Sequence, residues 1–224
     1  MNAIKPTAPV LVIGSKNYSS WSLRPWLLLR KIGFAFEERT IHFDGAEYQR
    51  EIAAISPSRR VPVLLVGPNK IWDSLAICEY AAELCGRGLP ANPVARAVAR
   101  SAAAEMHSGF TALREACPMN VRARGRRVST SPALSADVER VDALWSNCRR
   151  QYGTGGPWLF GDFSIADAMF APVCFRFQTY GAALSDAAES YLAFALEDPV
   201  LREWQQASEA EGHPLSDVDE VGKL

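Results

Sequence analysis

The chain predicts an α/β domain over residues 1–87 followed by an all-helical domain over residues 93–224. Three observations carry this. Apolar runs of strand length alternate with helical periodicities up to about residue 85. A stretch holding Gly88, Pro90 and Pro93 then interrupts the pattern. Beyond it every apolar pattern has helical spacing, and there is no strand signal or internal repeat.

The elements follow in order. Val10, Leu11, Val12 and Ile13 form a largely β-branched run ending at Gly14, which reads as a buried strand. A helix then runs to Ile32 and stops at Gly33, with Ser22 placed to cap it and Pro25 in its first turn, where a missing N–H costs little. Residues 36–41 alternate loosely, as an edge strand does, and residues about 46–55 make a short helix. Residues 61–66 and 71–73, joined by a turn at Gly67, Pro68, Asn69 and Lys70, read as a hairpin. A helix from Ser74 to about Cys85 closes on Gly86. The first domain is therefore β-α-β-α-β-β-α. In the second, Val94, Val98, Ala102, Met106, Phe110 and Leu113 predict one long helix to about Cys117, ended or kinked by Pro118. Residues 122–132 read as a polar loop and 134–152 as a helix broken by the Gly153–Gly156 cluster. Residues 164–180 are apolar on nearly every side, the mark of a central buried helix, which Pro172 should kink. Two shorter helices follow, at about 185–196 and 198–210.

Composition narrows the function. The 224 residues are 48% apolar with net charge −1, enough for a full core and no sign of a nucleic-acid binder. The basic run at residues 122–127 reads as a solvated loop. Five scattered cysteines show no CxxC and no Cys/His ligand spacing, so they read as core thiols in a reducing compartment, with no metal site. Residues 1–9 lack a secretory n-region and h-region, and no apolar run approaches the ~20 residues needed to span a bilayer. The expectation is a cytoplasmic protein that engages neither membrane nor nucleic acid.

Four short motifs carry chemistry. The hydroxyls of Ser19, Ser20 and Ser22, beside Tyr18 and Trp21, sit between the carboxyl end of a strand and the positive end of a helix dipole. That is a place to bind an anion or polarise a nucleophile, or simply to cap a helix. Val61-Pro62 marks a strand start; were the bond cis, the Val61 backbone would face outward as a pairing edge for an extended peptide. Asp73-Ser74 opens a helix, either as plain caps or holding the ammonium and carboxylate of an α-amino acid end. Ser164-x-x-Asp167 is a capping-box pattern and reads as structural.

Together and in this order, Ser19-Ser20-Trp21-Ser22-Leu23-Arg24, Arg60-Val61-Pro62, Asp73-Ser74 and Gly161-Asp162-Phe163-Ser164-Ile165-Ala166-Asp167 resemble a cytosolic glutathione S-transferase over nearly the whole chain. The resemblance implies a thioredoxin-like N-terminal domain that binds glutathione, an all-α C-terminal domain carrying the second-substrate site, and a homodimer. It implies a serine-type enzyme in which Ser19 or Ser20 activates the thiol; counting from Arg24 leaves the choice open. Val61, before a cis Pro62, would pair with the cysteinyl unit, Asp73 and Ser74 would hold the γ-glutamyl end, and Arg59 and Arg60 flank the tripeptide. The Ser-Ser-x-Ser-x-Arg pattern is similar to the zeta class, which includes maleylacetoacetate isomerase, except that Trp21 stands where that class has Cys. That class's substrate-side arginine falls on Thr179, one turn from Arg176.

Second-substrate candidates are Trp21, His107, Arg114, Met119 and Arg176, with Asn120 and Arg122 nearby; Arg114 and Arg122 either meet an acidic substrate, are solvated, or pair with Glu115 and Glu105. The expected activity is attack of the glutathione thiolate on a small electrophile, with an isomerase-type reaction as a variant. The rival reading is a non-catalytic ligand-binding or regulatory protein on the same scaffold.

Overall fold

The computed structural model describes residues 8–43 and 46–223. Residues 1–7, most of the stretch expected to lack a leader, lie outside them. A four-stranded sheet is built from β1 (Val10–Gly14), β2 (Glu37–Ile41), β3 (Val63–Val66) and β4 (Asn69–Ile71) in the order β2-β1-β3-β4. β1 runs parallel to β2, through the crossover helix α1 (Ser20–Ile32), and antiparallel to β3. The β3–β4 hairpin turns on Gly67 and Pro68 alone, so Asn69 and Lys70 belong to the strand rather than the turn. The pleat sorts the side chains. Leu11 and Ile13 enter the main core, whereas Val12 joins Ile41, Ile52 and Val63 in a small cluster on the face that holds α2 (Ala46–Ile55). α3 (Ser74–Cys85) lies on the main-core face beside α1.

The helical domain contains α4 (Pro93–Ser108), α5 (Thr111–Ala116), α6 (Pro132–Tyr152), α7 (Ile165–Tyr180), α8 (Asp186–Leu196), α9 (Pro199–Ala210) and a short α10 (Ser216–Asp219). Three of these start alike. Asn92, Ser131 and Asp198 accept from the first free N–H groups, and Pro93, Pro132 and Pro199 fill the position where an N–H is not needed. α1 and α3 end on Gly33 and Gly86, both left-handed, with φ of 76° and 62°. α7 is the axis: every residue but Gln178 and Tyr180 is buried, and it packs on α1, α4 and α8. One core, running from Leu11 to Trp204, therefore joins the sheet to the bundle.

Two expectations are corrected. The long helix over residues 94–117 is two helices. The chain breaks at Gly109, and Phe110 takes φ 60°. Arg114 Nη2 caps the break by donating to the carbonyls of Met106 (2.7 Å), His107 (2.9 Å) and Gly109 (2.5 Å). The first-helix cap is Ser19, not Ser22: Ser19 Oγ accepts from the Ser22 N–H at 3.4 Å.

Candidate active site

A pocket of about 350 Å³ opens where α1, the residues before β3 and the start of α3 meet the end of α4. It brings together Trp21, Arg60, Val61, Pro62, Asp73, Ser74 and His107 from the residues singled out in the sequence, and adds Ser58 and Trp72. The Val61–Pro62 bond is cis. The Ser74 hydroxyl is fully buried in this wall and has no hydrogen-bond partner. Buried hydroxyls are nearly always bonded, so an unpartnered one at a pocket and a helix start points to a ligand acceptor.

Asp73 has two jobs. Its Oδ1 accepts from the N–H groups of Leu75 (3.1 Å) and Ala76 (3.3 Å), capping α3. Its Oδ2 lies 2.9 Å from His107 Nε2, so the end of α4 is tied to the start of α3 across the pocket. His107 also meets the Trp21 ring edge-on at 5.4 Å, and its buried Nδ1 has no partner. The second-substrate candidate His107 therefore stands among the residues expected to hold glutathione.

Trp21 is flanked by cations. Arg24 Cζ lies 4.2 Å and Arg114 Cζ 5.0 Å from its ring. Arg24 is 2% exposed, and its Nε and Nη1 have no partner. Burial pushes its pKa well below the usual arginine value, and nearby Arg114 and Arg176 push the same way. The site thus sets the cations Arg24 and Arg114 behind an aromatic wall with the Asp73 carboxylate beside them, an excess of positive charge that favours anions.

The two serines separate. Ser19 Oγ donates to Ser22 Oγ at 2.7 Å, and Ser22 Oγ accepts from the Gly14 N–H at 3.0 Å, so Ser19 is committed to tying the strand end to the helix start. Ser20, the first residue of α1, makes no side-chain hydrogen bond among the described residues. Neither hydroxyl lines the pocket itself; Ser20 is next to Trp21, which does. Tyr18 is held elsewhere. Its hydroxyl donates to Asp219 Oδ2 at 2.8 Å and accepts from Arg122 Nη2 at 2.8 Å and the Leu215 N–H at 3.0 Å.

Residues 211–219 form a strap over this loop. The Glu211 carboxylate accepts from the N–H groups of Lys16 (2.7 Å) and Asn17 (3.1 Å), and Arg122 Nη1 donates to the Glu211 carbonyl at 2.7 Å. Asn120 bonds both Asn17 (3.0 Å) and Asp219 (2.8 Å). Asn120 and Arg122 are therefore spent on the strap, Arg114 on the α4 terminus, and Glu105 pairs with Arg140. Arg59, Met119 and Arg176 do not reach the pocket: Met119 is buried and Arg176 lines a different cavity. Sequence reasoning missed Ser58 and Trp72, although each adjoins a residue it named, and it missed the strap. Among the described residues no His/Cys/Asp/Glu group is arranged to hold a metal.

Comparison with known proteins bears on this geometry. The model described as "Glutathione S-transferase, N-terminal domain" matches residues 18–84, and "Glutathione S-transferase, C-terminal domain" matches 96–207. Maleylacetoacetate isomerase of Mus musculus is 30% identical over 73% of this chain and 76% of its own length; that of Rattus norvegicus is 27% identical over the same shares. Among solved structures, a Burkholderia glutathione transferase homolog with bound glutathione is 26% identical with TM-score 0.65, covering 91% of this chain and 99% of its own. An unclassified Bombyx mori glutathione S-transferase shares the fold at TM-score 0.72 and 17% identity, covering 97% of this chain and 100% of its own.

Proposed function

This chain belongs to the glutathione S-transferase family, and we propose that it binds glutathione in the pocket beside Pro62 and activates its thiol with Ser20. The observation that carries the reading is the unpartnered, buried Ser74 hydroxyl in a pocket also walled by Val61, Pro62 and Asp73. In it, the hydroxyl and the N–H of Ser74, the first residue of α3, hold the γ-glutamyl carboxylate. Asp73 Oδ2, already turned toward His107, takes the ammonium, and the Val61 backbone pairs with the cysteinyl unit. Arg60 and Ser58 lie along the rest of the tripeptide, with Arg59 at its outer edge. The sulfur then lies toward the start of α1.

Lowering a thiol pKa from ~8.5 by two units requires about 2.7 kcal/mol of preferential thiolate stabilisation. A hydroxyl donated by Ser20, the positive end of α1 and the buried Arg24 together supply terms of that size. The thiolate attacks a small electrophile held against Trp21 and His107; a new C–S bond forms, and the leaving group departs or the double bond takes up a proton. A second reading is isomerase-type: the thiolate adds to a conjugated double bond, the resulting single bond rotates, and elimination returns both thiolate and alkene. The curated relatives named maleylacetoacetate isomerase favour it, and the Arg24–Trp21–Arg114 stack suits an acidic acceptor. Five free cysteines fit a reducing cytoplasm.

The test is the thiolate absorbance of bound glutathione titrated with pH in wild type, Ser20→Ala, Ser19→Ala and Tyr18→Phe. Ser20→Ala should raise the bound-thiol pKa by at least about one unit, equivalent to ~1.4 kcal/mol. Tyr18→Phe should leave it in place. A rise in Tyr18→Phe alone overturns the serine assignment, and an unshifted thiol in wild type favours the non-catalytic binding protein.

A further inference from the structure

A second cavity, of about 500 Å³, lies inside the helical domain between α5, α6 and the end of α7. It shares no residue with the pocket beside Pro62. Its walls are apolar, chiefly Leu113, Leu134, Val138 and Phe177. Against them stands one buried cation. Arg176 is 5% exposed on a helix otherwise filled with core residues, and it lines this cavity. Its Nη1 donates to the carbonyls of Cys117 and Arg114. No acidic side chain among the described residues pairs with it. Burial pushes its pKa down, and Arg114 adds to that, while Cys117 and Tyr180 act the other way. Arg127 and Glu139, both exposed, also line it, and Arg127 makes no side-chain pair among the described residues.

A guanidinium left in an apolar wall without a counter-charge is costly unless something anionic meets it. A cavity of this size with apolar sides, one buried cation and further charges only on exposed lining residues is the form of a site for an amphipathic ligand. Carbonyl oxygens already take one side of Arg176, which orients its remaining donors and leaves a fork suited to a carboxylate.

We propose that this cavity binds a medium-chain aliphatic monocarboxylate, its carboxylate on Arg176 and its chain along Leu113, Leu134, Val138 and Phe177. Arg127 guides the anion in at the mouth. The site is independent of the glutathione reading, because no residue is shared.

Isothermal titration of the full chain with octanoate, and separately with 1-octanol, tests it. Octanoate should bind one site per chain, at least tenfold more tightly than 1-octanol. Val138→Trp, which fills the cavity without touching a charge, should abolish binding while leaving the affinity for glutathione unchanged. Arg176→Met should bring octanoate down to the affinity of 1-octanol. If that variant does not fold, Arg127→Ala should weaken octanoate several-fold and leave 1-octanol alone. Equal affinities for acid and alcohol in the wild type, or octanoate binding that survives Val138→Trp, would overturn the proposal. So would competition between octanoate and S-hexylglutathione for a single site.

Discussion

At the scale of single residues, function and stability use the same chemistry in different surroundings. Ser74 and Ser19 both lie at the N-terminus of a helix. Ser19 satisfies itself through Ser22, whereas Ser74 has no partner in the protein. Ser74→Ala should therefore raise the glutathione dissociation constant by roughly tenfold or more, matching the ~1.5–3 kcal/mol of a charge-assisted bond. Its melting temperature should hardly move; calorimetry paired with a thermal melt separates the two effects. Asp167 is the opposite case. It is buried and accepts from the Leu159 N–H, the Ser164 N–H, the Ser164 hydroxyl and the Tyr191 hydroxyl. Asp167→Ala would leave those donors without an acceptor and should cost at least about 3 kcal/mol, with glutathione affinity in the surviving folded protein unaltered. Burial raises the Asp167 carboxyl above its usual pKa despite these donors. A raised folded-state pKa means that its stabilising share is full at acid pH and declines as pH rises through that value. The stability advantage of wild type over Asp167→Asn should shrink in denaturant titrations as pH rises above the usual carboxylate range. The capping role of Asp167 was legible from Ser-x-x-Asp alone. Which of Ser19 and Ser20 is free was not, because spacing puts both beside the helix start and only the bonds to Ser22 separate them.

At the scale of elements, what could be read depended on whether periodicity carries the information. β1, α1, α3 and α7 were legible because each is an apolar pattern closed by a capping residue or glycine. The α4–α5 break was not. Met106, Phe110 and Leu113 keep their helical spacing across Gly109, so the apolar pattern stays continuous where the backbone turns. The break matters to the site, since it ends α4 at the point where His107 reaches Asp73. The strap was invisible for a related reason. Its contacts are polar and non-local, and Glu211 and Asp219 look like any solvated acids in the sequence. Glu211→Ala should strip the acceptor from two backbone N–H groups and cost about 1–3 kcal/mol. Hydrogen exchange should then quicken at Lys16 and Asn17 while α7 stays protected; equal exchange at those amides would count against the strap.

At the scale of the whole molecule, the main core crosses the domain boundary through α1, so the two halves should unfold together in a single transition. Among the described residues, the two most exposed large apolar side chains lie on neighbouring helices. Leu84, at the end of α3, and Val94, at the start of α4, are 61% and 65% exposed, and the Arg100–Glu79 pair crosses between the same two helices. We propose that this face pairs with a second copy in a two-fold dimer. Sedimentation should find the dimer at micromolar concentration, and Val94→Glu should shift it to monomer with its fold intact. A wild-type monomer under those conditions would refute the pairing. The strap also sets an order of assembly. The amide groups of Lys16 and Asn17 find their acceptor 195 and 194 residues further along the chain. During synthesis the sheet and α3 emerge early, but the turn leading to Ser20 must wait until residues 211–219 leave the ribosome. A nascent chain stalled before residue 211 would have its sheet and central helices but an unfinished turn before Ser20, so the proposed thiol activation would begin only after residues 211–219 have been made.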